Sequence, residues 1–170
     1  MMMISEKMAA ALNEQVKNEF YAWWTYQQMA FVSDTMGLKI YSQWFDVQAA
    51  EEQTHAMKIA KYLLDQGAEV KLLAMPEAKH DYKDIVEVVQ GAVDHELMVT
   101  RQIHELVKLA QSESDFATGN FLQWYVDEQV EEVATVSELL DLTKMGKDSG
   151  HMLMVENRIM ALRSGGGEKT

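Results

Sequence analysis

The chain has no cysteine among its 170 residues. Disulfides, thiolate metal sites and cysteine-held iron–sulfur clusters are thereby excluded. It has one proline and nine glycines, three of them in the C-terminal tail. So few breakers favour long helices over a many-stranded fold. No stretch is long and apolar enough to span a bilayer, so no membrane association is expected. The start, MMMISEKMAAAL, is short and lacks a following cleavage site. It reads as a tail leading into a helix, not as a signal peptide. Together with the missing cysteines, this fits a cytoplasmic protein. Basic residues are scarce too: 15 Lys and Arg against 27 Asp and Glu leave a formal charge of −12. That balance disfavours nucleic acid and anionic lipid as partners and suits a protein that attracts cations.

What is present is apolar residues at helical spacing. The hydrophobic content of 48% suits one domain with a sizeable core. Ser5 can cap a first helix running to about Ser33–Thr35, and Gly37 punctuates the turn. A second helix runs from about Leu38 to Gln66, with Gly67 as its natural C-terminal residue. Residues 68–80 lose the periodicity and hold the proline. The pattern resumes from about Tyr82 to Gln111, and SESD at 112–115 offers caps for a fourth helix to about Met145. GKDSG at 146–150 should break that helix, and a short amphipathic fifth segment, HMLMVENRIMALR, follows. The expected fold is all-α. It is a four-helix bundle of two antiparallel hairpins joined by one long crossover, with a short fifth C-terminal helix. Residues 1–163 form the single domain, and 164–170 form a flexible glycine-rich tail.

Carboxylates sit where apolar residues should be. Glu19 lies in the stripe Leu12, Val16, Trp23, Tyr26. Glu52 and His55 interrupt Phe45, Ala49, Ala56, Ile59, and Glu96 falls among Ala92, Val93, Val99, Ile103. Gln129 and Glu132 fall among Leu122, Tyr125, Val133, Val136. Helical spacing points each of these groups into the core. A lone buried carboxylate costs several kcal/mol or takes up a proton. Four helices that each send such a group inward make sense around a cation.

Glu52-x-x-His55 puts a carboxylate and an imidazole on one helix face. In bundles that hold two metals, two helices each give a single Glu and two give Glu-x-x-His. This chain keeps that pattern on three helices. On the fourth, Gln129 stands for the Glu and Glu132 for the His. Carboxylates with one imidazole suit iron or manganese better than a soft metal. Glu52 is the candidate bridge between two ions. A second acidic group adjoins the first: Glu51 beside Glu52, and Glu128, Glu131 and Glu132 at helical neighbour spacing. Like charges this close call for a cation, unless they form a solvated acidic face.

The segments AAEEQTHAMK, NEQVKNEFYAWWTYQQM and, above all, NFLQWYVDEQVEE resemble bacterial and archaeal non-haem ferritins. The resemblance runs from about Ser5 to Leu162. It implies a ferritin-like fold and a ferroxidase centre in each subunit, where Fe(II) is oxidised by O2 or peroxide. It further implies a homo-oligomeric cage of twenty-four subunits that stores Fe(III) oxide. By this resemblance Glu19, Glu52 and His55 match the first iron site. Glu52, Glu96, Gln129 and Glu132 match the second, so the centre is di-iron. Glu51, Glu128, Glu131 and Glu132 match a third iron site, and Tyr26 matches the tyrosine beside the centre. No haem is expected, because Gln53 stands where haem-binding relatives carry a ligating methionine. Ala117, Thr118, Gly119 and Asn120 are neutral, so the acidic pore of animal ferritins does not carry over.

Other features have plainer readings. The thirteen methionines read as core filling. His95 and His104 read as surface groups or groups behind the ligands, and His80 and His151 as surface groups. The four tryptophans read as packing and subunit contacts. Two other functions compete. A rubrerythrin-like di-iron peroxidase would usually bring a cysteine-rich iron domain and a second Glu-x-x-His, and both are missing. A smaller DNA-protecting cage usually lacks the fifth helix and often has a basic tail, whereas this tail, GGGEKT, is not basic.

Overall fold

The computed structural model describes residues 2–164. Its helices are α1 Glu6–Thr35, α2 Lys39–Asp65, α3 Ile85–Ser112, α4 Phe116–Ser149 and α5 Met152–Ser164. Residues 165–170 of the expected tail, and the side chain of Leu153, lie outside the described residues.

Local chemistry sets the ends. The Ser5 hydroxyl accepts from Met8 N at 2.9 Å and caps α1. Asp84 caps α3 by accepting from Glu87 N at 3.0 Å, and Asp115 caps α4 by accepting from Thr118 N at 3.0 Å. Each bond satisfies one of the amides a helix start leaves open. Gly37 and Gly67, after α1 and α2, take positive φ of 79° and 76°. The third helix starts three residues later than the periodicity predicts, because Asp84 supplies the cap.

The fourth helix does not stop near Met145. It runs through Gly146 to Ser149 and closes at Gly150, whose φ is 70°. Gly146 is there for closeness: a Cβ on it would lie 2.8 Å from Val155 Cγ2 and 3.3 Å from Met152 Sδ. The glycine lets α5 pack onto α4. A helix-interior glycine costs about 1 kcal/mol, and this packing offsets it. Ile159 is fully buried against the bundle.

Residues 68–84 form the crossover. Asn13 ties it to α1: its Nδ2 donates to Glu69 O at 3.0 Å, and Lys71 N donates to its Oδ1 at 2.6 Å.

The core falls into two apolar clusters. One holds Tyr26, Phe45, Val88, Val136 and Leu139, among others. The other holds Leu12, Val16, Ile59, Val99 and Leu122, among others. Along α1 and α4 the chain passes from the second cluster to the first. Along α2 and α3 it passes from the first to the second. This is the alternation of two antiparallel hairpins, and the crossover must travel the length of the bundle. In all four helices the predicted polar residues come between the clusters. Positions 19, 52, 55, 96, 129 and 132 thus form one polar layer across the middle of an apolar core.

Candidate metal centre

Glu19, Glu52, His55, Glu96, Gln129 and Glu132 are all buried, none more than 7% exposed. Each is one of the residues singled out by its place in an apolar stripe. Ligand atoms of Glu19, Glu52 and His55 lie within 4.8 Å of one another, as do those of His55, Glu128 and Glu132. His55 is therefore shared by two three-ligand groups. Its Nδ1 lies 3.2 Å from Glu52 Oε2. The backbone carbonyl of His55 accepts from the Tyr125 hydroxyl at 2.8 Å, which fixes the helix at that turn.

Glu96 belongs to neither group. Its Oε1 accepts from the Tyr26 hydroxyl, and its Oε2 accepts from Gln129 Nε2 at 3.0 Å. Gln129 is oriented in turn: its Oε1 lies 3.1 Å from the Thr100 hydroxyl, leaving its amide hydrogens to face Glu96. The departure from the two-motif pattern thus has a structural use. At 129 an amide donates to a buried carboxylate, where a second carboxylate would repel it.

Two residues of the site were missed in the sequence. Gln15 Nε2 donates to Glu19 Oε1 at 2.7 Å. Gln48 Nε2 donates to Glu52 Oε1 at 3.2 Å and to Glu132 Oε2 at 2.8 Å. Each glutamine precedes its glutamate by four residues, the spacing that puts both on one helix face. That spacing was the available signal. Both glutamines are 2% exposed.

Electrostatics sets the chemistry. Burial pushes the Glu19 carboxyl up to about 8, and the charge of Glu52 adds to the effect. Burial and then the charge of Glu96 push Glu132 up to about 8 as well. Glu52 and Glu96 are raised far above the ordinary carboxylate range, first by burial, then by Glu132 and Glu52 respectively. Tyr26 is raised by burial and by Glu96. Four acids in one buried layer hold protons unless a cation replaces them. Hard oxygen donors plus one imidazole are a set that iron or manganese accepts.

Beside this layer is a cavity of about 80 Å³ lined by Glu51, Glu128, Glu131 and Glu132, with Trp44, Gln48, Thr135 and Leu162. Glu131 and Glu51 are exposed and fall in neither three-ligand group. The predicted second acidic cluster is therefore brought to one cavity, with Glu128 and Glu132 nearest the layer.

His95 is buried behind the ligands, one of the two placements expected for it. Its ring meets Tyr26 edge-on with centroids 5.9 Å apart, and burial lowers its pKa to about 4. It packs as a neutral ring. His80, His104 and His151 are exposed. Trp124 packs edge-on to His55 at 5.3 Å, with the Lys58 ammonium 3.2 Å from its ring centroid.

The profile of the ferritin-like domain, described as Ferritin, matches residues 9–146. The chain belongs to the ferritin family. It is 36% identical to a probable bacterial non-heme ferritin-like protein of Haemophilus influenzae, over 91% of this chain and 94% of that one. It is 34% identical to a bacterial non-heme ferritin of Staphylococcus aureus, over 92% of this chain and 95% of the relative. Among solved structures, an open-pore ferritin from the hyperthermophilic archaeon Archaeoglobus fulgidus superposes with a TM-score of 0.88. That structure is 41% identical and aligns over 92% of this chain and 97% of its own. The ferritin-like bundle expected from the helix pattern is the fold observed.

Proposed function

We propose that this ferritin stores iron, oxidising Fe(II) at the buried carboxylate layer and keeping the product as Fe(III) oxide inside a homo-oligomeric cage of twenty-four subunits. The observation that carries the proposal is the polar layer itself. Four acids and one imidazole from four helices are held between two apolar clusters, and burial raises the pKa of all four acids, so they hold protons unless a cation replaces them. Fe(II) is the substrate. Glu19, Glu52 and His55 take one ion, and Glu52, Glu96 and Glu132 take the other with Gln129 beside them. Each of two Fe(II) ions gives one electron to O2, and two protons complete hydrogen peroxide. Peroxide can serve as oxidant in turn. The acids release their protons to solvent as Fe(II) binds, and solvent supplies the two protons of hydrogen peroxide. Tyr26 holds Glu96 in place and is a redox-capable side chain hydrogen-bonded to the layer.

The cavity lined by Glu51, Glu128, Glu131 and Glu132 holds a third iron on its way from the centre to the mineral. No haem is needed for this chemistry. Residues 1–163 act as one domain with 164–170 as its tail, the protein works in the cytoplasm, and neither nucleic acid nor membrane is a partner. No helix among the described residues is long and apolar enough to cross a membrane.

The test is Fe(II) oxidation by an oxygen electrode and absorbance, on wild type and Glu52→Ala, with particle size from light scattering. Rapid oxidation in a wild-type particle of twenty-four subunits, with near-complete loss of rate in Glu52→Ala, is expected. Wild-type kinetics in that variant would rule out this centre.

A further inference from the structure

Gln48 touches both three-ligand groups with one atom. Its Nε2 donates to Glu52 Oε1 in the group Glu19, Glu52, His55 and to Glu132 Oε2 in the group His55, Glu128, Glu132. The side chain is 2% exposed and also lines the cavity that holds Glu51, Glu128 and Glu131. It therefore stands in the wall between the centre and the cavity. Each bond occupies one carboxylate oxygen and leaves the other to ligate; Glu52 Oε2, for instance, faces His55 Nδ1 at 3.2 Å.

We propose that Gln48 is a positioning residue that couples the two groups, so that a cation entering one resets the ligand orientation in the other. A cation at the first group draws Glu52 away from the amide. The amide hydrogens then turn wholly to Glu132, and that carboxylate is held more firmly at its Oε2. A cation at the second group has the converse effect on Glu52. Coupling of this kind needs a donor at 48 with reach to both carboxylates. The inference rests on the reading of the layer as a metal site.

The experiment is Co(II) titration of the assembled protein, followed by calorimetry and visible absorption. Co(II) is chosen because it does not turn over with O2 here and its spectrum reports coordination. Affinity at the second group is measured with Glu19 intact and with Glu19→Gln, which weakens only the first group. With Gln48 present, Glu19→Gln should shift that affinity about tenfold, an ordinary size for coupling between sites. Gln48→Met matches the shape without a donor and should cut the shift below twofold. Gln48→Asn, too short to reach both carboxylates, should behave like Gln48→Met and serves if the latter does not assemble. A tenfold shift that persists in Gln48→Met or Gln48→Asn would overturn the proposal, leaving shared His55 as the coupler. No shift in the wild-type background would overturn it as well. Failure of Co(II) to bind in any variant would instead sink the metal-site reading on which it rests.

Discussion

The Tyr26 hydroxyl donates to Glu96 across 70 positions of sequence, linking α1 to α3 inside the polar layer. Among the described residues, Gln129 is the other side chain that donates to Glu96, at its second oxygen. The pair is thus a positioning device for a carboxylate that neither three-ligand group contains.

Tyr26→Phe should therefore leave Fe(II) binding at Glu19, Glu52 and His55 close to wild type and slow the oxidation that follows. The lost hydrogen bond to a buried acid should cost about 1 kcal/mol of stability. Stopped-flow absorbance and thermal unfolding check the two parts. Unchanged oxidation with lowered stability would reduce Tyr26 to a structural donor.

The layer was legible because periodicity is a strong signal. A glutamate at 19 or 96 inside an apolar stripe has no other place to point. The helices and the crossover were legible for the same reason, helped by the single proline and the modest number of glycines. The amides at 15 and 48 were not. Glutamine on a helix face is common, and only the neighbouring glutamate one turn on marks it. The end of α4 was misplaced because Gly146 reads as a breaker. Its close approach to Val155 is a tertiary fact that no local rule contains.

Metal-free stability should fall as pH rises. Glu19 and Glu132 titrate near 8 in the folded protein, against an ordinary value of 4.5. The folded state thus keeps protons that the unfolded chain releases, and each costs about 1.4 kcal/mol per pH unit across that window. Going from about pH 5 to about pH 8 should lower the melting temperature of the chelator-treated protein. Saturating Co(II) should flatten or reverse the trend, because bound metal replaces the protons. Calorimetry in two buffers of different ionisation enthalpy should show proton release on binding. A metal-free protein that gains stability from pH 5 to 8 would contradict the burial of these acids.

Gly146→Leu should loosen α5 from α4, because even a Cβ there lies 2.8 Å from Val155 Cγ2. Helix propensity favours the change by about 1 kcal/mol, but overpacking costs about 1–3 kcal/mol. The net effect should be lower thermal stability and faster hydrogen exchange in 152–162. Oxidation at the centre should persist, since the polar layer is elsewhere. Exchange equal to wild type would show that α5 accommodates the bulk by shifting as a body.

The cavity beside the layer gives the last prediction. Glu128 shares a three-ligand group with His55 and Glu132, and it is only half-buried. Glu128→Gln keeps size and hydrogen bonding and removes one charge from a cluster that also contains Glu51, Glu131 and Glu132. Folding should not suffer, because repulsion falls. The first fast oxidation should survive, since Glu19, Glu52, His55 and Glu96 are untouched. Later turnovers should slow, and the iron oxidised per O2 should change, because iron no longer pauses in the cavity. Anomalous scattering from crystals soaked anaerobically in Fe(II) is the direct check. Three peaks per wild-type subunit are expected, with the third lost in Glu128→Gln. Two peaks in the wild type at saturating iron would leave these glutamates as a solvated acidic face.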